Sequence, residues 1–257
     1  MRPETEAAIR AATIGQRIAD SREGSRSITS KGGIDLVTAA DVACEDAIRL
    51  ELIRAFPEYP VVGEEREGTP IEGKPYWLVD PICGTRLYAS DIPLYCTNIA
   101  LVEDGVVTVA AVGIGVTGEI VFAEKGQGAW ARTRAGDRRT STSVASDAIW
   151  IGDVKTERGP GVVRQAMLAK RWYVWQFTST ISYAYLATGR LAGILHFCSP
   201  AIPPHGSVHI SAGCLIAEEA GATVVDLDTG NPWNLRTRSI VLAATAELAQ
   251  DLRALSK

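Results

Sequence analysis

Three short segments concentrate the residues able to do chemistry: Asp35-Leu-Val-Thr-Ala-Ala-Asp41, Gly63-Glu64-Glu65 and Asp80-Pro81-Ile82-Cys83-Gly84-Thr85. Each falls at the end of a predicted strand or the start of a predicted helix, and in α/β proteins such ends converge on clefts. Singly, a Gly-Glu-Glu or an Asp-Pro turn is an ordinary surface feature, so the order and spacing of the three carry the signal. A second group, His196, His205 and His209 with Cys198, lies in one short stretch. His196 alternates with Leu195 and Phe197 on a predicted strand, where a lone histidine is usually a hydrogen-bonded core residue. His205 follows Pro203-Pro204 and reads as loop, so this stretch predicts no separate metal cluster.

The elements that must position these groups follow from periodicity. Residues 4–20 carry Ile9, Ala12, Ile14 and Ile18 at helical spacing, and the polar run 21–27 after them reads as loop. From Asp41 the apolar positions Ala43, Ala47, Leu50, Ile53 and Phe56 keep the helical period up to Pro57, with Thr38 or Asp41 as cap. Beyond Pro60, short apolar runs separated by glycine turns and by Glu103-Asp104-Gly105 predict a meandering sheet. A polar stretch from Arg132 to Ser146 reads as a connection between an N-terminal α+β half, residues 1–140, and a C-terminal α/β half, residues 141–257. In the second half, strands at 149–151, 172–177, 192–197, 222–226 and 239–244 alternate with helices at 161–170, 182–187 and 210–220, and a terminal helix follows.

Composition narrows the partners. The chain has 257 residues, 46% hydrophobic and 22% charged, enough to bury a large core. Its net charge is −4 and its Lys and Arg are scattered, which excludes a nucleic-acid footprint and points to a small-molecule substrate. No apolar run approaches the roughly 20 residues of a spanning helix. The start Met1-Arg-Pro-Glu-Thr-Glu6 carries acids where a signal peptide would carry an apolar core, so a cytoplasmic location is expected. Five cysteines, widely spaced and without a CxxC pair, indicate neither a disulfide framework nor a zinc knuckle. Cys44, Cys96 and Cys214 read as packing residues.

Over about residues 31–244 the chain resembles the inositol monophosphatase superfamily of metal-dependent sugar and cyclitol phosphatases. The resemblance rests on 35–41, Phe56-Pro57 leading to Gly63-Glu64-Glu65, Asp80-Pro-Ile-Cys-Gly-Thr85, Thr117-Gly-Glu-Ile with Glu124-Lys-Gly-Gln-Gly128, and Ser211-Ala-Gly213 with Glu219-Ala-Gly221. It implies that family's layered α-β-α-β-α fold and a homodimer. It also implies that Glu64, Asp80 and the Ile82 carbonyl hold magnesium, that Thr85 with Asp41 activates the attacking water, and that the Gly84 and Thr85 amides hold phosphate.

Two positions depart from the pattern. The second aspartate of the family's Asp-Pro-Ile-Asp-Gly-Thr motif is Cys83, and the aspartate of its Trp-Asp-x-Ala-Ala-Gly motif is His209. The acidic residue that grips substrate hydroxyls falls near Ile202. Both changed positions serve one metal in the family, so the resemblance places Cys83 beside His209. Magnesium prefers oxygen ligands, and a thiol with an imidazole replaces two carboxylates poorly. A helix start and an imidazolium would lower the thiol's pKa, and the phosphate-binding amides would become an oxyanion hole. The resulting expectation is a Cys83–His209 dyad for acyl or thioester transfer or hydrolysis, with a carrier-protein thioester as one candidate substrate, Asp80 or Glu64 orienting the histidine and no cofactor required. The alternatives are a metal-dependent phosphomonoesterase using Mg, Mn or Zn at Glu64, Asp80 and Ile82, and a non-catalytic scaffold.

Overall fold

A computed structural model describes residues 1–24, 27–32, 35–66, 68–115, 117–152, 158–197 and 206–256. The sequence-based readings of Cys198, Ile202 and His205 lie outside the described residues. The chain begins with helix α1 (Pro3–Ser21), a short hairpin of β1 (Ile28–Gly32) and β2 (Asp35–Thr38), and helix α2 (Ala39–Ala55). There follow β3 (Val61–Gly63), β4 (Tyr76–Cys83), the five-residue helix α3 (Thr85–Ala89), β5 (Cys96–Glu103), β6 (Val106–Ile114), β7 (Glu119–Glu124), β8 (Ala129–Thr133) and β9 (Gly136–Arg139). Strands β3 to β9 form one sheet in sequence order, antiparallel except for the β3–β4 pair. Asp104 and Gly105, both at positive φ, make the tight β5–β6 turn, the geometry that matches strand twist.

The second half contributes β10 (Ala148–Gly152), α4 (Gly159–Ala169), β11 (Tyr173–Trp175), α5 (Ile181–Ala187), β12 (Gly193–Phe197), a 3-10 turn at Gly206–Val208, α6 (Ser211–Glu219), β13 (Thr223–Asp226), β14 (Ser239–Ala243) and α7 (Ala246–Ala254). Its sheet runs β11-β10-β12-β14-β13, parallel across the first three strands and antiparallel thereafter.

Burial sets the layering. On one face of the seven-stranded sheet, Ala7, Ala11, Ile48 and Leu52 of α1 and α2 pack against Trp77 and Ile99. On its other face, Ala184 of α5 and Ala212 and Leu215 of α6 pack against Ala100, Val112 and Val121. The opposite sides of α5 and α6, through Tyr183 and Cys214, meet Trp150, Ile194 and Leu242 of the five-stranded sheet. Val162 and Ala166 of α4 and Leu252 of α7 cover that sheet's far face against Leu195 and Val241. The result is the α-β-α-β-α sandwich expected from the sequence, with α5 and α6 as the shared middle layer.

Two local readings are corrected. Arg132–Arg139, read as a connection, completes β8 and β9, while Ile28–Gly32, for which the sequence offers no reading, is a strand because it pairs with β2. Strand β11 is three residues long, not six, because only Tyr173–Trp175 pair with β10. Among the described residues, no helix is long and apolar enough to cross a membrane.

Candidate metal centre

Strand β4 delivers the central residues. Its register against β5 pairs Asp80 with Asn98 and Cys83 with Cys96, with an irregularity between the two pairs. Pro81 has no N–H for the ladder and falls in that interruption, and its carbonyl accepts a hydrogen bond from the Thr97 hydroxyl at 2.9 Å. The chain then turns at Gly84, at φ 99°, where a Cβ would sit 2.9 Å from the Leu94 carbonyl oxygen and the Ser179 side chain. That turn starts α3 and aims the Thr85 side chain back toward Ile82.

Two flanking segments bring further carboxylates. Thr38 and Asp41 form a capping box at the start of α2, in which Asp41 Oδ2 accepts from the Thr38 amide at 2.9 Å and the Thr38 hydroxyl at 2.5 Å. The other oxygen, Asp41 Oδ1, accepts from the Thr85 hydroxyl at 3.0 Å, and the Ile82 carbonyl oxygen lies 3.1 Å from the same hydroxyl. Burial pushes the Asp41 carboxyl upward, opposed by its hydrogen bonds from Thr38 and Thr85. Glu64 follows the end of β3, its amide bonded to the Val79 carbonyl at 3.1 Å. The buried Glu45 carboxylate fixes the next turn by accepting from the Glu65 and Arg66 amides at 2.7 and 3.0 Å. A Cβ at Gly63 would run into that carboxylate, so Gly63 lets the Glu64 segment pass close to α2.

From the second half, His209 arrives between the 3-10 turn and α6. Its Nδ1 lies 2.7 Å from Asp80 Oδ2 and 3.9 Å from Glu64 Oε2. One atom each of Asp80, Cys83 and His209 lie mutually within 4.8 Å, so the structure places the thiol and imidazole together. Asp80 is wholly buried, whereas the His209 side chain is 28% exposed and opens the cluster to solvent. Burial pulls the imidazole's pKa down, but the charges of Glu64 and Asp80, with hydrogen bonds to Asp80 and Cys83, hold it well above the ordinary histidine value.

The thiol behaves against expectation. Its hydrogen bond with Cys96, then burial and the Asp80 charge, push Cys83 well above the ordinary thiol range despite the opposing pull of His209. The nucleophile reading needs the opposite direction, a thiol pulled below its ordinary range. Sequence reasoning missed several groups around this sulfur. Thr180 donates to Cys83 Sγ from its amide at 3.3 Å and its hydroxyl at 3.0 Å. Ser179 donates to the Cys83 carbonyl at 2.9 Å. The Asn98 amide reaches Asp80 Oδ2 at 3.4 Å, Thr180 Oγ1 at 3.0 Å and the His209 carbonyl at 3.4 Å. The polar run Thr178-Ser179-Thr180 ahead of a helix was the available signal.

The donor set accommodates a divalent ion. Asp80 Oδ1 is buried without a hydrogen-bond partner while Oδ2 carries His209, which leaves one carboxylate oxygen unused within a cluster of ligating atoms.

The sequence model of the inositol monophosphatase family matches residues 1–257. An inositol-1-monophosphatase of Rhizobium meliloti is 32% identical over 216 residues, 79% of this chain and 76% of that protein. The Nus factor SuhB of Vibrio cholerae is 30% identical over 244 residues, 91% of this chain and 88% of that one. Among solved structures, the extragenic suppressor protein suhB of Bartonella henselae superimposes with a TM-score of 0.85 at 24% identity, covering 98% of this chain and 97% of that chain. A Thermotoga maritima IMPase gives a TM-score of 0.85 at 21% identity, covering 99% and 97%. At these identities the two structures establish the fold. The sequence matches overturn both the cysteine acyl-transfer expectation and the expectation that no cofactor is required, because they are to a family of metal-dependent phosphatases. Matched along its whole length and sharing that layered fold, the chain belongs to the inositol monophosphatase family.

Proposed function

We propose that this chain is a metal-dependent phosphomonoesterase acting on a sugar or cyclitol phosphate, with two ligand positions altered. The observation that carries the reading is the intact Asp41–Thr85–Ile82 constellation beside Glu64 and Asp80. A bound divalent ion supplies Lewis-acid polarisation of the phosphate and lowers the pKa of a coordinated water. Glu64, Asp80 and the Ile82 carbonyl would hold it.

The chain's own groups do the rest. Thr85 has one hydroxyl proton, and Asp41, a carboxylate fixed by the α2 cap, is its stronger acceptor. Donating its hydrogen bond to Asp41 leaves the Thr85 oxygen lone pairs free to accept from a water and orient it. The water proton passes toward Thr85 and Asp41 as the water oxygen bonds to phosphorus. The ester P–O bond breaks, and the alcohol leaves with a proton from solvent. The Gly84 and Thr85 amides would hold phosphate oxygens, as the family resemblance implies. The site takes a small-molecule substrate, and the expected assembly is a homodimer.

The test is phosphate release from a panel of sugar and cyclitol monophosphates with magnesium, manganese or zinc. The reading predicts turnover that chelation abolishes and metal restores, and at least a 100-fold loss in Asp80→Asn. Turnover indifferent to chelation, or none with any of the three metals, overturns it.

A further inference from the structure

The proposed hydrolysis accounts for Glu64, Asp80, Thr85 and Asp41 but gives no role to a sulfur and an imidazole at the same point. Cys83 Sγ, a His209 ring nitrogen and an Asp80 carboxylate oxygen lie mutually within 4.8 Å. Tetrahedral bonds of about 2.0–2.3 Å to zinc set ligand atoms roughly 3.3–3.8 Å apart. The cluster therefore needs side-chain adjustments of about an ångström, including an opening of the 2.7 Å contact between His209 Nδ1 and Asp80 Oδ2. We infer that Asp80, Cys83 and His209 form a three-ligand zinc site with its fourth position open to the cleft. This site shares only Asp80 with the ion position proposed for hydrolysis, and it rests on the phosphatase reading for its catalytic meaning.

Three observations support the assignment. The first is Asp80 Oδ1, buried and without a hydrogen-bond partner on a side chain with no exposed surface. The second is the shell around the sulfur: two donors from Thr180 converge on Sγ, the arrangement that orients and stabilises a metal-bound thiolate. Asn98 links that threonine to Asp80 and so ties two of the ligands together. The third is exposure: Asp80 and Cys83 are buried and His209 is partly open, so the free position faces solvent, as in catalytic rather than structural zinc sites. One sulfur, one nitrogen and one oxygen suit a borderline ion, and magnesium discriminates against the first two. Coordination releases the thiol proton and the second imidazole proton, so charge balances without a further group.

The test uses the full-length, reduced, chelator-stripped protein with cobalt(II) as the spectroscopic stand-in for zinc. The inference predicts a thiolate-to-cobalt charge-transfer band with a stoichiometry of one, bleached by one equivalent of zinc but not by a 1,000-fold excess of magnesium. Cys83→Ser removes the band, and His209→Ala weakens zinc binding at least 10-fold. Cys83→Asp combined with His209→Asp moves the preference toward magnesium by at least 100-fold. Should these variants fail to fold, X-ray absorption of the zinc-loaded natural chain decides the matter, with one sulfur at about 2.3 Å expected. No charge-transfer band, a band that survives Cys83→Ser, or zinc with only oxygen and nitrogen neighbours overturns the inference. Magnesium-dependent phosphate release without a cobalt band sinks the zinc site and keeps the phosphatase. A Cys83-dependent band on a protein that releases no phosphate does the reverse.

Discussion

Thr85 has a single proton to give and two acceptors near it, and the charge on Asp41 decides where that proton goes. This makes the hydroxyl an oriented acceptor for water. Thr85→Ala is therefore expected to lower kcat by about 100-fold or more with KM little changed, and Thr85→Ser to retain most activity. Because Thr85 is only half-buried, the melting temperature of the alanine variant should move by no more than a few degrees. Equal losses in the serine and alanine variants would remove the hydroxyl from the mechanism. At this scale the sequence was legible wherever a residue acts within its own segment. The Asp41 and Thr38 cap and the place of Asp80 at a strand end follow from neighbours one to three positions away. The protonation of Cys83 was not legible, because it depends on Cys96 across the ladder, where two sulfurs meet in a buried site.

Elements carry the pH dependence. Strand β12 is central in its sheet, between β10 and β14, and its His196 is buried with Nδ1 2.8 Å from the Tyr183 hydroxyl and its ring against Trp150. Burial, aided by the nearby His209 charge, lowers its pKa to about 3. The unfolded chain takes up a proton near pH 6.5 and the folded chain does not until about pH 3, so between these values the unfolded state binds more protons. Stability from this residue is complete above about pH 6.5 and is lost as the pH falls. The loss from pH 7 to pH 4 is on the order of 3 kcal/mol. His196→Gln keeps an acceptor for Tyr183 and removes the titration, so its unfolding free energy by urea should fall by that much less over the same interval. Parallel curves for the two proteins would count against the assignment. Alternation with Leu195 and Phe197 marked this residue as core in the sequence. By contrast, β1, β8 and β9 escaped periodicity, since their partners rather than their own residues make them strands. Strand β9, Gly136–Arg139, is exposed throughout and carries no apolar signal at all.

At the scale of the whole molecule, the two halves meet in one core and at one site. The cluster that includes Ala100, Val112 and Val121 from the first half also includes Ile181, Ala184, Val208, Ala212 and Leu215 from the second. Polar ties run alongside it: the Glu219 carboxylate at the end of α6 accepts from the Gly126 and Gly128 amides at 2.6 and 2.7 Å, fixing the β7–β8 turn. Asp80 and Cys83 come from one half, and His209, Ser179 and Thr180 from the other, so the cluster is assembled only when α5 and α6 dock. Without those two helices each sheet loses the cover of one face. The halves at 1–140 and 141–257 are therefore expected to melt together rather than in turn, with calorimetric and van't Hoff enthalpies agreeing. Glu219→Ala leaves two turn amides short of a partner and should lower stability by about 1–3 kcal/mol without splitting the transition. Two resolved transitions in scanning calorimetry, in the natural chain or in that variant, would show that a half retains its structure alone, and the metal centre would then have to form on a prebuilt lobe rather than with the fold.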